Sequence, residues 1–164
     1  MYPFDKNPVG IYEKAFPSDY SWFQILIAAK QAGYDFVEMS IDESQMRLNR
    51  LAWDSAQRAE LRKAISDSGI PIWGMGISAH RKYPLGSADN ELRQNGLDIL
   101  YRSIELAADL GVRVLQVMGY DAFYEPSSED TEARFIEGLA TGTQWASAAG
   151  VVLALENVDT NRFN

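Results

Sequence analysis

The chain of 164 residues contains no cysteine. Disulfides and thiolate metal ligands are excluded, and the compartment stays open with the cytoplasm as the default. Histidine is nearly absent: the single residue His80 rules out a metal site built from several histidines of one chain. Basic residues are in deficit. Lys and Arg number 15 against 23 Asp and Glu, a formal charge of −8. That balance argues against general affinity for nucleic acid or an anionic membrane. An anionic small molecule would need a local basic cluster to bind against it. No apolar run approaches a membrane span. The N-terminal MYPFDKNPVG lacks a basic segment followed by a long apolar stretch, so it does not read as a secretory signal. No glycine-rich phosphate turn and no Ser-His-acid arrangement is legible. Gly74 and Gly76 in WGMGIS lie within an apolar run, not in a turn before a helix.

What is present is a foldable chain. Its hydrophobic share of 46% and aromatic share of 12% support a core and exclude disorder. Strand-like runs fall at residues 9–12, 34–39 (YDFVEM), 72–77 (IWGMGI), 112–118 (VRVLQVM) and 151–155 (VVLAL). Helical spacing runs from Asp19 or Ser21 to Gly33 through Trp22, Phe23, Leu26, Ile27 and Ala29. Further helices open at Asp54-Ser55, at 87–89 (SAD) and at Ser128, and close at Gly69, Gly111 and Gly150. Strands alternating with helices predict a parallel sheet. Simple alternation puts Ile72, Gly74, Gly76, Ser78 and His80 on one face of the third strand, opposite Trp73, Met75, Ile77 and Ala79. It likewise sets Phe36 and Glu38 against Val37 and Met39, and Val152, Ala154 and Glu156 against Leu153 and Leu155. Small interior residues with polar groups toward the strand ends suit a barrel with its site at the C-terminal mouth. The expected fold is therefore α/β: a partial (β/α)8 TIM barrel of strands one to five with the four intervening helices, as one incomplete domain over residues 1–164. The alternative, an open doubly wound sheet, lacks its glycine-rich turn.

Several residues could carry chemistry. Glu156 follows the last apolar strand directly, and a carboxylate there needs a cation or donor network if it is buried. The bland alternative is a solvent-facing strand end. Glu38 in FVEMS has the same form and suits either a structural ion pair or an orienting role. Glu13 in GIYEKA is the weaker case, because Tyr12 or Lys14 could point inward instead. His80-Arg81-Lys82 is a compact basic cluster that could hold an anion, with His80 titrating near neutrality. It could equally be a solvated loop whose histidine is satisfied by backbone. Gln116 would at most orient a ligand. Tyr120, Asp121 and Tyr124 lie where a barrel's substrate loops would be, or they cover the core. Trp22, Trp53, Trp73 and Trp145 read as packing residues.

Five runs go beyond generic patterning: VGIYEKA (9–15), YDFVEMSIDE (34–43), ISAHRKYPLGS (77–87), MGYDAFYE (118–125) and LALENVD (153–159). In that order, and over essentially the whole chain, they resemble the L-ribulose-5-phosphate (L-xylulose-5-phosphate) 3-epimerases, also labelled hexulose-6-phosphate isomerases. The resemblance implies a (β/α)8 barrel of the xylose-isomerase-like group. It implies metal-assisted proton removal at C3 of a ketopentose 5-phosphate and return of a proton on the opposite face. The divalent metal (Mg, Mn or Zn) would be held by an acid on strand five and by Asp, His and Glu from strands six to eight. Glu156 matches the first ligand, and as a catalytic residue it would also be one of two acid/base carboxylates. Glu38, His80, Arg81 and Lys82 match family motifs and would bind substrate. The implied partner is a small-molecule sugar phosphate, with no nucleic acid and no membrane. Family members run to nearly twice this length, and the later ligands, the opposing carboxylate and the usual barrel phosphate loops have no counterpart here. The chain is therefore expected to be a fragment, a truncated product, or one that covers its sheet edges as a homo-oligomer. A non-catalytic half-barrel or assembly domain and a hexulose-6-phosphate isomerase are the alternatives.

Overall fold

The computed structural model describes residues 7–158. Five strands make one parallel sheet in sequential order: β1 (Gly10–Tyr12), β2 (Phe36–Ile41), β3 (Ile72–Ile77), β4 (Val114–Met118) and β5 (Val152–Glu156). Helix α1 (Trp22–Gln31) follows β1. A short α2 (Gln45–Leu48) and the long α3 (Ser55–Ser68) follow β2, α4 (Asn90–Leu110) follows β3, and α5 (Glu129–Ala149) follows β4. Helix α2 and the 3₁₀ turn Asn49–Ala52 behind it are additions to the sequence-based expectation.

The helix starts are built by short polar side chains. Of the two candidates before α1, Ser21 is the cap: its hydroxyl accepts from the Gln24 N–H, and Gln24 reaches back to the Ser21 N–H. Asp54 with Gln57 and Ser128 with Thr131 repeat that reciprocal arrangement. Helices α3, α4 and α5 end on Gly69, Gly111 and Gly150 at φ 69°, 76° and 68°. A side chain is strained in that left-handed conformation, which is why glycine marks each helix-to-strand joint. Three strands, β2, β4 and β5, begin later than their apolar runs, because the first residues still close the preceding helix; Val151 N–H donates to Ala146 O at 2.9 Å. Tyr34 N–H donates to Ala29 O at 3.1 Å, and Val112 N–H donates to Ala107 O at 2.9 Å.

Sequential strand order decides between the two architectures. A doubly wound sheet reverses its order and carries helices on both faces. Among the described residues, one face alone is covered. Val37, Met39, Ile41, Met75, Ile77, Leu115 and Val117 are sealed against Leu26, Ala29, Leu61, Ile99, Leu100 and Ile104 of the helices. The other face carries Phe36, Trp73, Val114 and Val152, of which Trp73 is 48% and Val152 60% exposed. The strands thus curl as part of a barrel with helices outside.

One strand face departs from simple alternation. The β2–β3 register shifts between Val37 and Glu38, so that Val37 faces Ile72 but Glu38 faces Gly74. Trp73 is the extra residue. It swings to the inner face and stacks on Phe36 at 4.5 Å, while Ile72 is buried on the helix side. Alternation had placed these two the other way round. A bulge of one residue inverts the faces before it. Trp73 is consequently not a core residue.

Candidate functional site at the carboxyl ends of the strands

Glu13 leaves the end of β1 and is 3% exposed. The Arg50 guanidinium grips it with both prongs, Nη1 to Oε1 at 2.5 Å and Nη2 to Oε2 at 2.9 Å. Ser40 N–H donates to Oε1 at 2.7 Å and Arg47 Nε at 3.3 Å. Arg50 also donates to Ser40 O at 2.8 Å and lies over the Trp22 ring at 5.0 Å. Both charges are thus paired and bonded, the condition under which burial is tolerable. Arg47 and Arg50 come from α2 and the turn behind it, which the apolar pattern passed over. A buried acid signals that a cation must exist, but nothing local in sequence says that it lies 37 residues away. Beside this network, Lys14 pairs with Asp42 at 2.6 Å. Burial raises the Asp42 carboxyl, but Lys14 and Ser44 outweigh it and hold it down at about 2. Tyr12 does point inward, donating from its hydroxyl to Ser40 Oγ at 2.7 Å.

The inner face of the sheet carries the polar row. Ser40, Gly76, Gln116 and Ala154 align across β2 to β5, one row nearer the mouth than Glu38, Gly74, Val114 and Val152. Gly74 leaves room for Glu38: a Cβ there would stand 3.1 Å from the carboxylate oxygen. One row beyond Gln116 and Ala154, Glu156 lies opposite Met118, and its backbone carbonyl accepts from Gly119 N–H at 2.9 Å. Among the described residues, neither the Glu38 nor the Glu156 carboxylate has a hydrogen-bond donor or cation partner. Both are half-buried. Glu156 is therefore an oxygen donor and proton acceptor that the fold has not consumed. No group of three His, Asp or Glu side chains able to hold a metal occurs among the described residues.

The basic cluster after β3 does not act as a unit. His80 is 2% exposed and faces α4, with its Nε2 3.2 Å from Gly96 O. A carbonyl can only accept, so Nε2 carries the proton, and the buried Nδ1 is left without a partner. Burial pushes its pKa down to about 4, with the Gly96 bond opposing weakly. His80 is thus neutral across physiological pH, which corrects the expectation that it titrates near neutrality. Arg81 and Lys82 are exposed at the mouth, over the Phe123 and Tyr83 rings at 5.2 and 5.3 Å. Beyond β4, Tyr120 is buried and Tyr124 is exposed. Asp121 pins the loop to the start of α5, accepting from Ser127 Oγ at 2.6 Å and from the Thr131 hydroxyl. Burial raises the Asp121 carboxyl, but the two hydroxyls together with backbone N–H groups keep it below the usual range.

A one-sided α/β sheet in sequential order, with an uncommitted acid ending its fifth strand, has a counterpart among known proteins. The sequence profile of the xylose isomerase-like TIM barrel matches residues 26–164. The chain belongs to this family. As a xylose isomerase-like barrel it is 46% identical over 157 residues to L-ribulose-5-phosphate 3-epimerase UlaE of Escherichia coli (strain SMS-3-5 / SECEC). It is 45% identical over 157 residues to UlaE of Salmonella heidelberg (strain SL476). Each match covers 96% of this chain and 55% of the relative. The chain thus spans about half the length of the curated relatives it matches. Among solved structures, an L-ribulose 3-epimerase superposes with a TM-score of 0.74 at 27% identity, over 92% of this chain and 50% of that one. No helix among the described residues is long and apolar enough to cross a membrane.

Proposed function

We propose that this chain supplies the first five strands of a ketopentose 5-phosphate 3-epimerase, interconverting L-ribulose 5-phosphate and L-xylulose 5-phosphate. The supporting observation is Glu156: a carboxylate at the end of β5, on the barrel side and without a partner among the described residues. Its relatives' names supply the substrate class. Glu156 takes the proton from C3. The C–H electron pair becomes the second C2–C3 bond, and the carbonyl oxygen gains the negative charge. Protonation of C3 from the opposite face then restores the carbonyl with C3 inverted. Glu38 and the exposed Arg81 and Lys82 stand on the substrate side, and His80 anchors their turn to α4 through Gly96.

Epimerases of this kind call for a divalent metal such as Mg²⁺, Mn²⁺ or Zn²⁺, which stabilises an enediolate. Glu156 offers one oxygen to it. With no convergent third ligand among the described residues, these side chains do not fit a complete site, and no step is routed through a metal. A cytoplasmic location accords with a chain devoid of cysteine.

The test is incubation of the purified polypeptide with L-ribulose 5-phosphate and Mn²⁺ in deuterium oxide, followed by NMR. L-xylulose 5-phosphate carrying deuterium at C3, lost in Glu156→Gln, is the expected result. Turnover that survives Glu156→Gln sinks the assignment of the acid. Conversion of a hexulose 6-phosphate instead selects the isomerase alternative. The uncovered inner face favours a second reading, an assembly half-barrel that closes its sheet as a homo-oligomer. Absence of turnover together with a stable dimer in solution selects it.

A further inference from the structure

The inner-face row of Ser40, Gly76, Gln116 and Ala154 is made of small residues except at one place. The Ser40 hydroxyl is engaged, accepting from the Tyr12 hydroxyl at 2.7 Å. Gly76 and Ala154 bring no polar side chain. Gln116 remains. Its neighbours in β4, Leu115 and Val117, are sealed against the helices, so Gln116 projects to the barrel side, where it is half-buried. Its carboxamide lies across β3: a Cβ on Gly76 would stand 3.5 Å from Gln116 Oε1. The glycine thus leaves the head group its place, as Gly74 does for Glu38 from the strand on the other side. Among the described residues the Gln116 carboxamide has no hydrogen-bond partner.

We infer that Gln116 is a specificity-determining residue of the ketose site and reads the C1 hydroxyl of the substrate. A carboxamide both donates and accepts and does not titrate, so it matches an alcohol, which also does both. A carboxylate at that place could only accept, and its charge would oppose the negative charge gained by the C2 oxygen. Position selects the hydroxyl. Gln116 pairs with Ala154, one row deeper in the barrel than Glu156 and one strand across. The two residues are therefore offset by roughly 5 Å across the strands and roughly 7 Å along them. Two extended side chains with two carbons of a ketose between them span that offset. The phosphate on C5 stays at the solvated mouth, where Lys82 is exposed, because burying its charge costs far more than burying an alcohol. With C3 at Glu156 and C5 outward, C1 reaches down to the row of Gln116. A ketose held at both ends presents one face of C3 to Glu156, whereas one held by its phosphate alone can turn about its long axis.

This inference rests on the ketose phosphate reading, and the experiment separates the two. Binding to the intact chain is measured by calorimetry with two probes, L-ribulose 5-phosphate and 1-deoxy-L-ribulose 5-phosphate. The native chain is expected to favour the probe that carries the C1 hydroxyl by about five- to tenfold, the size of one neutral hydrogen bond. Gln116→Met, of matching length, should abolish that preference by weakening L-ribulose 5-phosphate, with the 1-deoxy probe within about twofold of its native affinity. Gln116→Leu should do the same, and circular dichroism establishes that each variant is folded. A preference that survives in a folded variant overturns the inference. So does equal weakening of both probes, which a merely structural role of Gln116 would give. Absence of a preference in the native chain, or of binding by either probe, also overturns it. Deuterium exchange at C3 in the same samples distinguishes the two readings. A Gln116-dependent preference without exchange keeps the subsite and removes the epimerase reading. Exchange without any preference keeps the epimerase reading and removes the subsite.

Discussion

Glu13 and Glu156 stand at equivalent places, at the carboxyl ends of the two edge strands of one sheet, and the fold treats them oppositely. Glu13 is closed in by two arginines and a backbone amide. Glu156 is half-buried and has no side-chain partner among the described residues. An acid after an apolar strand is thus not by itself a sign of chemistry. The sign is an acid whose bonding capacity remains unspent. Glu13 belongs to the stability of the β1–β2 corner, whereas the Glu156 carboxylate has no such partner among the described residues.

The sharpest break of this comparison is mutational. Glu13→Gln leaves the buried Arg50 without its counter-charge and should lower unfolding free energy by about 3–5 kcal/mol, read from urea midpoints. Glu156→Gln should change it by less than about 0.5 kcal/mol. Equal destabilisation by both would erase the distinction. In the same order, Glu156→Gln should reduce any C3 proton exchange by roughly 10²–10⁴-fold, whereas the activity of Glu13→Gln should follow its folded fraction.

Acid offers a second handle, at a group that is neutral rather than paired. The unfolded chain protonates His80 near its ordinary value of 6.5, while the buried folded form resists down to about 4. The unfolded state therefore binds the proton first, and stability falls as pH drops from about 6.5 to 4. The loss approaches about 3 kcal/mol. His80→Leu should flatten that segment of a stability-versus-pH curve. The Asp42 contribution lies lower, lost between 3.8 and about 2 as the Lys14 pair is neutralised, so it should persist in His80→Leu. The smallest effect belongs to the exposed pair Lys63–Asp67 at 2.5 Å. Lys63→Ala should cost less than about 0.5 kcal/mol in the same denaturant assay. A larger value would mean that burial is not what makes Glu13 matter.

Much of the architecture was legible in the chain. Apolar runs located every strand, and Ser21, Asp54, Ser128, Gly69, Gly111 and Gly150 marked helix ends, because caps and left-handed turns are local requirements met by few residue types. Glu156 was visible as a strand-end acid, whereas Glu38, expected near a strand end, lies inside β2, which runs on to Ile41. The faces of Ile72 and Trp73 were not legible, since a one-residue shift against β2 is a property of two strands together. Nor was the split within His80-Arg81-Lys82. Adjacent in sequence, these side chains part company only when α4 brings Gly96 against His80 and the β4 loop lays Phe123 under Arg81.

Local chemistry in the chain thus settled the elements, their order and which residue types stand at the strand ends. Packing alone settled which of those residues are spent. Whether an acid or an arginine is paired depends on partners tens of residues distant, as Arg50 is from Glu13, and only the folded sheet with its helices brings such groups within bonding distance.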